Sequence, residues 1–307
     1  MDAHTDPPEW LRFSLEIRQA LLKGNAVVAL ESAVITHGLP PGRNLSVARR
    51  VEGAVRSSGG APATIAVIEG EICVGLTAEA LEHLAEAEAP LKAGKRDLGL
   101  AVTRSISAGT TVSATMFVAR AAGLPVLSTG GIGGVHPGAS GDVSMDLPEL
   151  AQTRVAVVCS GAKSILDLPR TLEWLETASV PVIGFRTPEL PAFFSTSSGL
   201  PLPVVMHNAQ EVADFMRTHW RVGLQSGLLI CVPPPEELAI PWGQVQEWIR
   251  GADAAARREG VQGKELTPYL LRSLAEQSRG ATLQVNEALL ANNARVACDI
   301  ARAFGAP

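Results

Sequence analysis

The chain has 307 residues, 46% of them hydrophobic and 19% charged, with 26 Lys+Arg against 31 Asp+Glu and a formal net charge of -5. This is the composition of an ordinary soluble globular protein, long enough to bury a large core without disulfide or metal staples. Mild acidity, the lack of a Lys/Arg-rich run and 4% aromatic content argue against a nucleic-acid partner, which needs clustered cations and stacking rings.

No apolar stretch reaches the 18 or so residues of a membrane span, and the opening MDAHTDPPEW has neither a basic region nor an apolar one of the secretory kind. A cytoplasmic location is therefore expected. Cys73, Cys159, Cys231 and Cys298 lie far apart without metal-ligand spacing, and are expected to be free thiols in a reducing compartment.

In chain order, short Val/Ile/Ala-rich runs predict strands buried on both faces at Ala26–Leu30, Thr64–Ile68, Leu98–Val102, Val126–Thr129, Val155–Cys159, Val180–Phe185 and Leu228–Val232. Helical patterns alternate with them at Leu45–Arg56, Ala78–Ala87, Val112–Ala122, Ser164–Glu176 and Ala209–Arg217. That alternation calls for an α/β sheet covered by helices. Beyond Pro235 the pattern is helical only, at Trp242–Arg258, Thr267–Gln277 and Thr282–Ala303, with start signals at Glu265-Leu266-Thr267-Pro268 and Gly280-Ala281-Thr282. This C-terminal quarter is expected to cover the sheet. No repeat, linker or low-complexity tract divides the chain, so residues 1–307 are expected to be one domain.

Ligands of open α/β sheets sit beyond the carboxyl ends of the strands, so polar residues just past a strand draw attention first. Glu31 follows Ala26–Leu30; half desolvated there, it suits proton donation near neutrality, or else it caps a helix or pairs with a surface cation. Ser128-Thr129-Gly130-Gly131-Ile132-Gly133-Gly134-Val135-His136 matches neither the dinucleotide fingerprint nor a P-loop, yet its amides, with Thr129 and His136, suit a small anion such as one phosphate. A plain tight turn is the alternative.

Asp142-Val143-Ser144-Met145-Asp146 offers two carboxylates four apart, fit for a hard ion such as Mg²⁺ or Mn²⁺, unless Asp146 is simply the N-cap of 147–152. Lys163 follows Val155–Cys159 beside Gly161; desolvated, its amine would attack carbonyls to form an imine, whereas a lysine snorkelling from a helix start is the plainer reading. Lys92 could counter a phosphate or sit in a solvated turn. Asn286 and Asn293, seven apart, share a helix face and either meet a ligand or are buried amides.

Together these segments resemble the pseudouridine-5′-phosphate glycosidase family, which includes indigoidine synthase A-like proteins. The likeness runs from about Leu22 to Ala303. Its carriers are Ala29-Leu30-Glu31-Ser32, Thr36-His37-Gly38-Leu39-Pro40, Lys92 through Leu98, Gly109-Thr110-Thr111-Val112-Ser113-Ala114-Thr115-Met116, the glycine cluster from Ser128 to His136, Cys159-Ser160-Gly161-Ala162-Lys163-Ser164-Ile165-Leu166-Asp167, Gly184-Phe185 and Asn292-Asn293-Ala294-Arg295.

The resemblance implies a three-layer α/β/α sandwich with a mixed, largely parallel central sheet and a helical C-terminal cover, assembled as a homotrimer. It implies Lys163 as the nucleophile that forms a Schiff base with the sugar C1, and Glu31 as the proton donor. Asp142 would hold Mn²⁺ through water, with Mg²⁺ as the other candidate. Lys92, Val112 and Ser144-Met145-Asp146 would contact the substrate, Thr129 and His136 its phosphate end and Asn286 its base.

The implied activity is reversible cleavage of the C–C glycosidic bond of pseudouridine 5′-phosphate to uracil and ribose 5-phosphate. The alternative is the same imine chemistry joining ribose 5-phosphate to another aromatic or heterocyclic aglycone in natural-product synthesis. His136-Pro137-Gly138-Ala139-Ser140-Gly141-Asp142 is about two residues shorter than the family pattern and lacks its Arg and Phe, and Met145 replaces a small residue; these departures bear on aglycone and metal. Two further classes stay open: a non-catalytic phosphosugar-binding protein, and a two-carboxylate hydrolase using Glu31 with Asp142 or Asp146.

Overall fold

Strands apolar on both faces need cover on both faces, and that requirement sets the layering. The protein is described by a computed structural model over residues 8–138, 141–261 and 266–306. Its strands are β1 (Leu11–Phe13), β2 (Val27–Leu30), β3 (Ala61–Ile68), β4 (Glu71–Val74), β5 (Leu91–Ala93), β6 (Ala108–Thr110), β7 (Val126–Ser128), β8 (Ala156–Cys159), β9 (Val182–Phe185), β10 (Val204–Met206) and β11 (Leu228–Cys231). They join in one sheet of order β1-β4-β3-β2-β7-β8-β11-β9-β10, with β6 beside β3 and β5 beside β6. All pairs are parallel except β3 with β4 and β3 with β6.

The helices are α1 (Leu15–Leu22), α2 (Asn44–Ser57), α3 (Ala78–Glu86), α4 (Leu98–Thr103), α5 (Val112–Ala121), α6 (Asp146–Gln152), α7 (Leu168–Thr177), α8 (Ala209–Arg221), α9 (Trp242–Glu259), α10 (Leu266–Gln277) and α11 (Ala281–Gly305). Both α5 and α11 pack on β2 and β7, α5 together with α6, and α11 together with α2 and α8. These are the outer layers of an α/β/α sandwich. Val28, Ala29, Leu127, Val157, Val158 and Ile230 form the fully buried centre between them. The strand order reverses between β2 and β7: from β2 the chain adds β3 on one side and later β7 on the other. A crevice for ligands opens at such a switch point.

Two expectations are corrected. Leu98–Val102 is not a strand but most of α4: Gly94 donates to Asp97 Oδ2 at 3.0 Å in a 3₁₀ turn over Lys95–Asp97 that feeds a helix. Only Leu98 and Ala101 are buried, whereas Leu100 and Val102 are 42% exposed, so the apolar run has the period of a helix. The helix expected from Ser164 begins at Leu168, because Asp167 accepts from Arg170 N–H at 3.1 Å and Pro169 follows at the helix start.

The C-terminal quarter is the expected helical cover, and its innermost layer is α11. α11 packs on β2, β7 and β8, while α9 packs mainly on α10 and α10 in turn on α11. Of the two start signals, Glu265 lies outside the described residues, and α11 opens at Gly280, whose φ of 85° is the left-handed turn that lets the chain double back from α10.

Candidate active site

Three adjacent strand ends, β2, β7 and β8, deliver Glu31, Thr129 and the 160–163 segment to one place. Thr129 Oγ1 donates to Glu31 Oε1. Beside Glu31 lies a cavity of ≈ 20 Å³ walled chiefly by Leu30, Val34, Ile35, Leu39, Val51 and Leu290. This apolar setting pushes the Glu31 carboxyl above the usual range; the nearby Lys163 ammonium and the Thr129 hydroxyl pull it back, and Asp146 adds to the rise.

Lys163 is held by its backbone. Gly130 O accepts from Ser160 N at 2.8 Å, Gly161 O from Ile132 N at 3.1 Å and Ile132 O from Lys163 N at 3.1 Å, so the glycine cluster runs as a parallel extension beside the lysine segment. The glycines are there for close approach: a Cβ on Gly161, whose φ is +82°, would lie 2.3 Å from Pro191 O, and one on Gly131 would lie 2.6 Å from the Phe193 ring.

The third wall comes from β5 and α6. Lys92 is paired to Gly109 across β5 and β6. Although it keeps solvent exposure, its ammonium pKa is lowered by burial and by Lys163, against the pull of Glu31 and Asp146. Glu31, Lys163, Asp146 and Lys92 thus form one electrostatic group of two acids and two amines.

Asp146 is not the N-cap of its own helix: α6 starts at Asp146 itself, and the carboxylate turns away to accept from Ser113 N (2.9 Å) and Gly133 N (2.8 Å). It bolts the start of α5, where Val112 is buried, to the glycine cluster. Gly133 has no room for a side chain, because a Cβ would lie 2.2 Å from Ser144 Oγ. Met145 Sδ approaches the Cβ position of Gly94 at 3.4 Å, tying the same corner to the turn after Lys92.

Val135 bridges Val143, and His136 N donates to Asp142 O at 2.9 Å, so His136 and Asp142 face one another across a hairpin. Asp142 is exposed. Ala139 and Ser140 of the shortened rim lie outside the described residues.

The two asparagines of α11 part company. Asn293 is fully buried, with Nδ2 donating to Thr129 O (2.9 Å) and Ser160 Oγ (3.1 Å), and so ties α11 to both strand ends. Asn286 is half-buried, with its Oδ1 3.4 Å from the Cβ position of Gly130, at the edge of the crevice. Lys95 belongs to the frame, its Nζ 2.8 Å from the buried Glu149 carboxylate.

Sequence reasoning missed the loop at Pro191 and Phe193, which packs on the glycines; its apolar Leu190–Phe194 run carries no polar signal.

Residues 16–303 match the family described as indigoidine synthase A like protein. The chain belongs to that family. Among curated relatives, the pseudouridine-5′-phosphate glycosidase of Caldanaerobacter subterraneus subsp. tengcongensis is 49% identical over 294 residues, 95% of this chain and 96% of the relative. That of Myxococcus xanthus is 49% identical over 297 residues, 96% of this chain and 98% of the relative.

Among solved structures, an indigoidine synthase A-like protein of Thermotoga maritima covers 100% of both chains at 37% identity and a TM-score of 0.88. The prealnumycin C-glycosynthase AlnA in complex with ribulose 5-phosphate covers 97% of this chain and 98% of its own, at 38% identity and a TM-score of 0.90. The indigoidine synthase A-like fold therefore extends over nearly the whole chain. No helix among the described residues is long and apolar enough to cross a membrane.

Proposed function

We propose that this chain is an enzyme that reversibly cleaves the C–C glycosidic bond of pseudouridine 5′-phosphate to uracil and ribose 5-phosphate, through a Schiff base on Lys163. The observation that carries this reading is the convergence on one crevice of a half-buried acid, Glu31 at the end of β2, and the Lys163 segment at the end of β8, with the acid's carboxyl raised by desolvation. The names of the curated relatives support the substrate.

A C–C glycosidic bond has no heteroatom to protonate, so paired carboxylates of the usual hydrolase kind do not suffice. The neutral Lys163 amine attacks C1 as the bond from C1 to the ring oxygen breaks, and the proton shed by the new ammonium passes to that oxygen, which becomes the C4 hydroxyl of the opened ribose. The freed lone pair on Nζ then expels the uracil as Glu31 delivers a proton to C5, leaving C1 as an iminium that water hydrolyses to ribose 5-phosphate and the free amine. The raised pKa extends the protonated form of Glu31 to higher pH than an ordinary glutamate allows. The hydrolase reading loses ground because Asp146 spends both oxygens on backbone amides and Asp142 is exposed.

In this reading Lys92, Val112, Ser144 and Met145 contact the substrate, His136 faces the phosphate end and Asn286 the base. The Thr129 hydroxyl orients Glu31, and the Asp146 carboxylate acts on the frame. Asp142 would hold Mn²⁺, or Mg²⁺, through water. The donor set fits a hard ion that keeps most of its waters: one exposed carboxylate, with no group of three metal-ligating side chains among the described residues. Bound there, such an ion would add positive charge to help order the anionic substrate. The enzyme would act in the cytoplasm as a homotrimer, which sedimentation would measure.

A second reading of the aglycone draws on the likeness to AlnA and on the shortened rim after His136: the same imine would join ribose 5-phosphate to another ring. Intact mass after ribose 5-phosphate and borohydride tests the shared chemistry. A pentose-phosphate adduct on the wild type and none on Lys163→Ala is expected, whereas no adduct on the wild type removes the reading. Uracil release from pseudouridine 5′-phosphate separates the two aglycones.

A further inference from the structure

β3 changes partners at a single residue. Thr64 pairs in parallel with Leu30 of β2, and Ala66 pairs antiparallel with Gly109 of β6. Between them, Ile65 has no ladder partner on that side, and its buried carbonyl would be orphaned. Two hydroxyls satisfy it instead: Ser32 Oγ and Thr110 Oγ1 each donate to Ile65 O at 2.6 Å.

The same two residues are tied to each other. Thr110 N donates to Ser32 Oγ at 2.9 Å, and Ser32 N donates to Thr110 O at 3.3 Å. Thr115 Oγ1 of α5 lies 2.9 Å from Thr110 Oγ1, and all three hydroxyl residues are buried. Ser32 O accepts from Ile35 N (3.0 Å) and Thr36 N (3.2 Å), which starts the π-helical turn Val34–Gly38. Gly109 admits this turn, since a Cβ there would lie 2.2 Å from Thr36 Oγ1.

Ser32 directly follows Glu31, so the seam fixes the chain on one side of the acid as β2 fixes it on the other. The turn it launches supplies Val34 and Ile35 to the cavity wall beside the acid. We infer that Ser32 and Thr110 are positioning residues for the proton donor: their hydroxyls hold Glu31 against its apolar wall and within reach of Thr129. This rests on the proposed function, in which Glu31 gives the proton that releases the aglycone. Lys163 stands on a separate strand end, and its imine chemistry does not depend on the seam.

The test compares Ser32→Ala, Thr110→Val and Thr110→Ser with wild type in two assays. One is the borohydride-trapped adduct with ribose 5-phosphate; the other is uracil release from pseudouridine 5′-phosphate across pH. The expected result is an undiminished adduct in all three, with release reduced roughly tenfold to a hundredfold in Ser32→Ala and Thr110→Val. Thr110→Ser, which keeps the hydroxyl, should release uracil at close to the wild-type rate.

The falling limb of release at high pH should also move to lower pH in the two impaired variants. A loosened segment lets water reach Glu31 and relieves the burial that raises its carboxyl, while Lys163, Lys92 and Asp146, the charges that face it, are unchanged. Adduct and release falling together, or release falling with the limb unmoved, would reduce the seam to a structural role and overturn the inference. So would wild-type release in Ser32→Ala. Failure of the proposed function reads differently, as a wild type that forms no adduct or releases no uracil, and the inference then falls with it.

Discussion

Glu31 has to carry a proton at a pH where an ordinary glutamate has lost it, and the means are local: an apolar wall and a nearby carboxylate at Asp146. Three opposing influences, Lys163, the Thr129 hydroxyl and Lys92, keep the shift from running away. Because the protonated form is the active one, uracil release should fall as pH rises through the raised Glu31 value, and a pH–rate profile reads this directly. Glu31→Gln keeps the shape and leaves the Thr129 hydroxyl an acceptor, but has no proton to give. Release should drop by roughly a hundredfold or more while the Lys163 adduct persists, a split that single-turnover assays would show. The position of Glu31 and Lys163 one to four residues past a buried strand was legible in the sequence, since two strand ends in one sheet point the same way. What Thr129 and Asp146 do was not, because spacing shows that a group is near the site but not which atoms it faces.

At the level of elements, the site is a set of backbone approaches that tolerate no side chain. Gly161→Ala would put a Cβ 2.3 Å from Pro191 O in a left-handed conformation, so either the Lys163 segment or the Pro191 loop must move. The left-handed strain alone costs about 1–2 kcal/mol, and the variant should lose both melting temperature and adduct, seen in calorimetry and intact mass. Asn293→Leu breaks the other tie, leaving Thr129 O without its α11 donor and Ser160 Oγ without its amide partner. A loss of about 1–3 kcal/mol is expected from those unsatisfied groups, measured by denaturant unfolding.

How far the sequence discloses such elements depends on what covers them. Strands buried on both faces, β2, β7, β8, β9 and β11, announce themselves as apolar runs. Those of three or four residues near the edges, β1, β4, β5, β6 and β10, do not, since Leu91–Ala93 or Ala108–Thr110 is too short to have a period. Leu98–Val102 misleads for the complementary reason: two of its apolar residues face solvent, which only the turn before it determines.

For the whole molecule, a half-buried, desolvated acid kept ready for catalysis is a stability liability with a definite sign. Glu31 is raised in the folded state, so folding favours its protonated form. Its contribution to stability is fully present below the unfolded value near 4.5 and is lost as pH rises through the folded value. Above that point the native protein holds a charge it desolvates, and the unfolded chain does not. Glu31→Gln removes the charge and keeps the hydrogen bond, so it should melt higher than wild type at alkaline pH, and little differently below pH 4.5, where both carry a neutral side chain. Each kcal/mol of relief should appear as roughly 2–4 °C in a reversible melt. Thermal scans of the two proteins over a pH series check this, and the same variant is the one expected to lose uracil release. Inactive yet more stable is the pattern of a residue kept for chemistry at a cost to the fold. A variant less stable than wild type at every pH would mean that Glu31 is retained for structure, and that the proton must come from elsewhere.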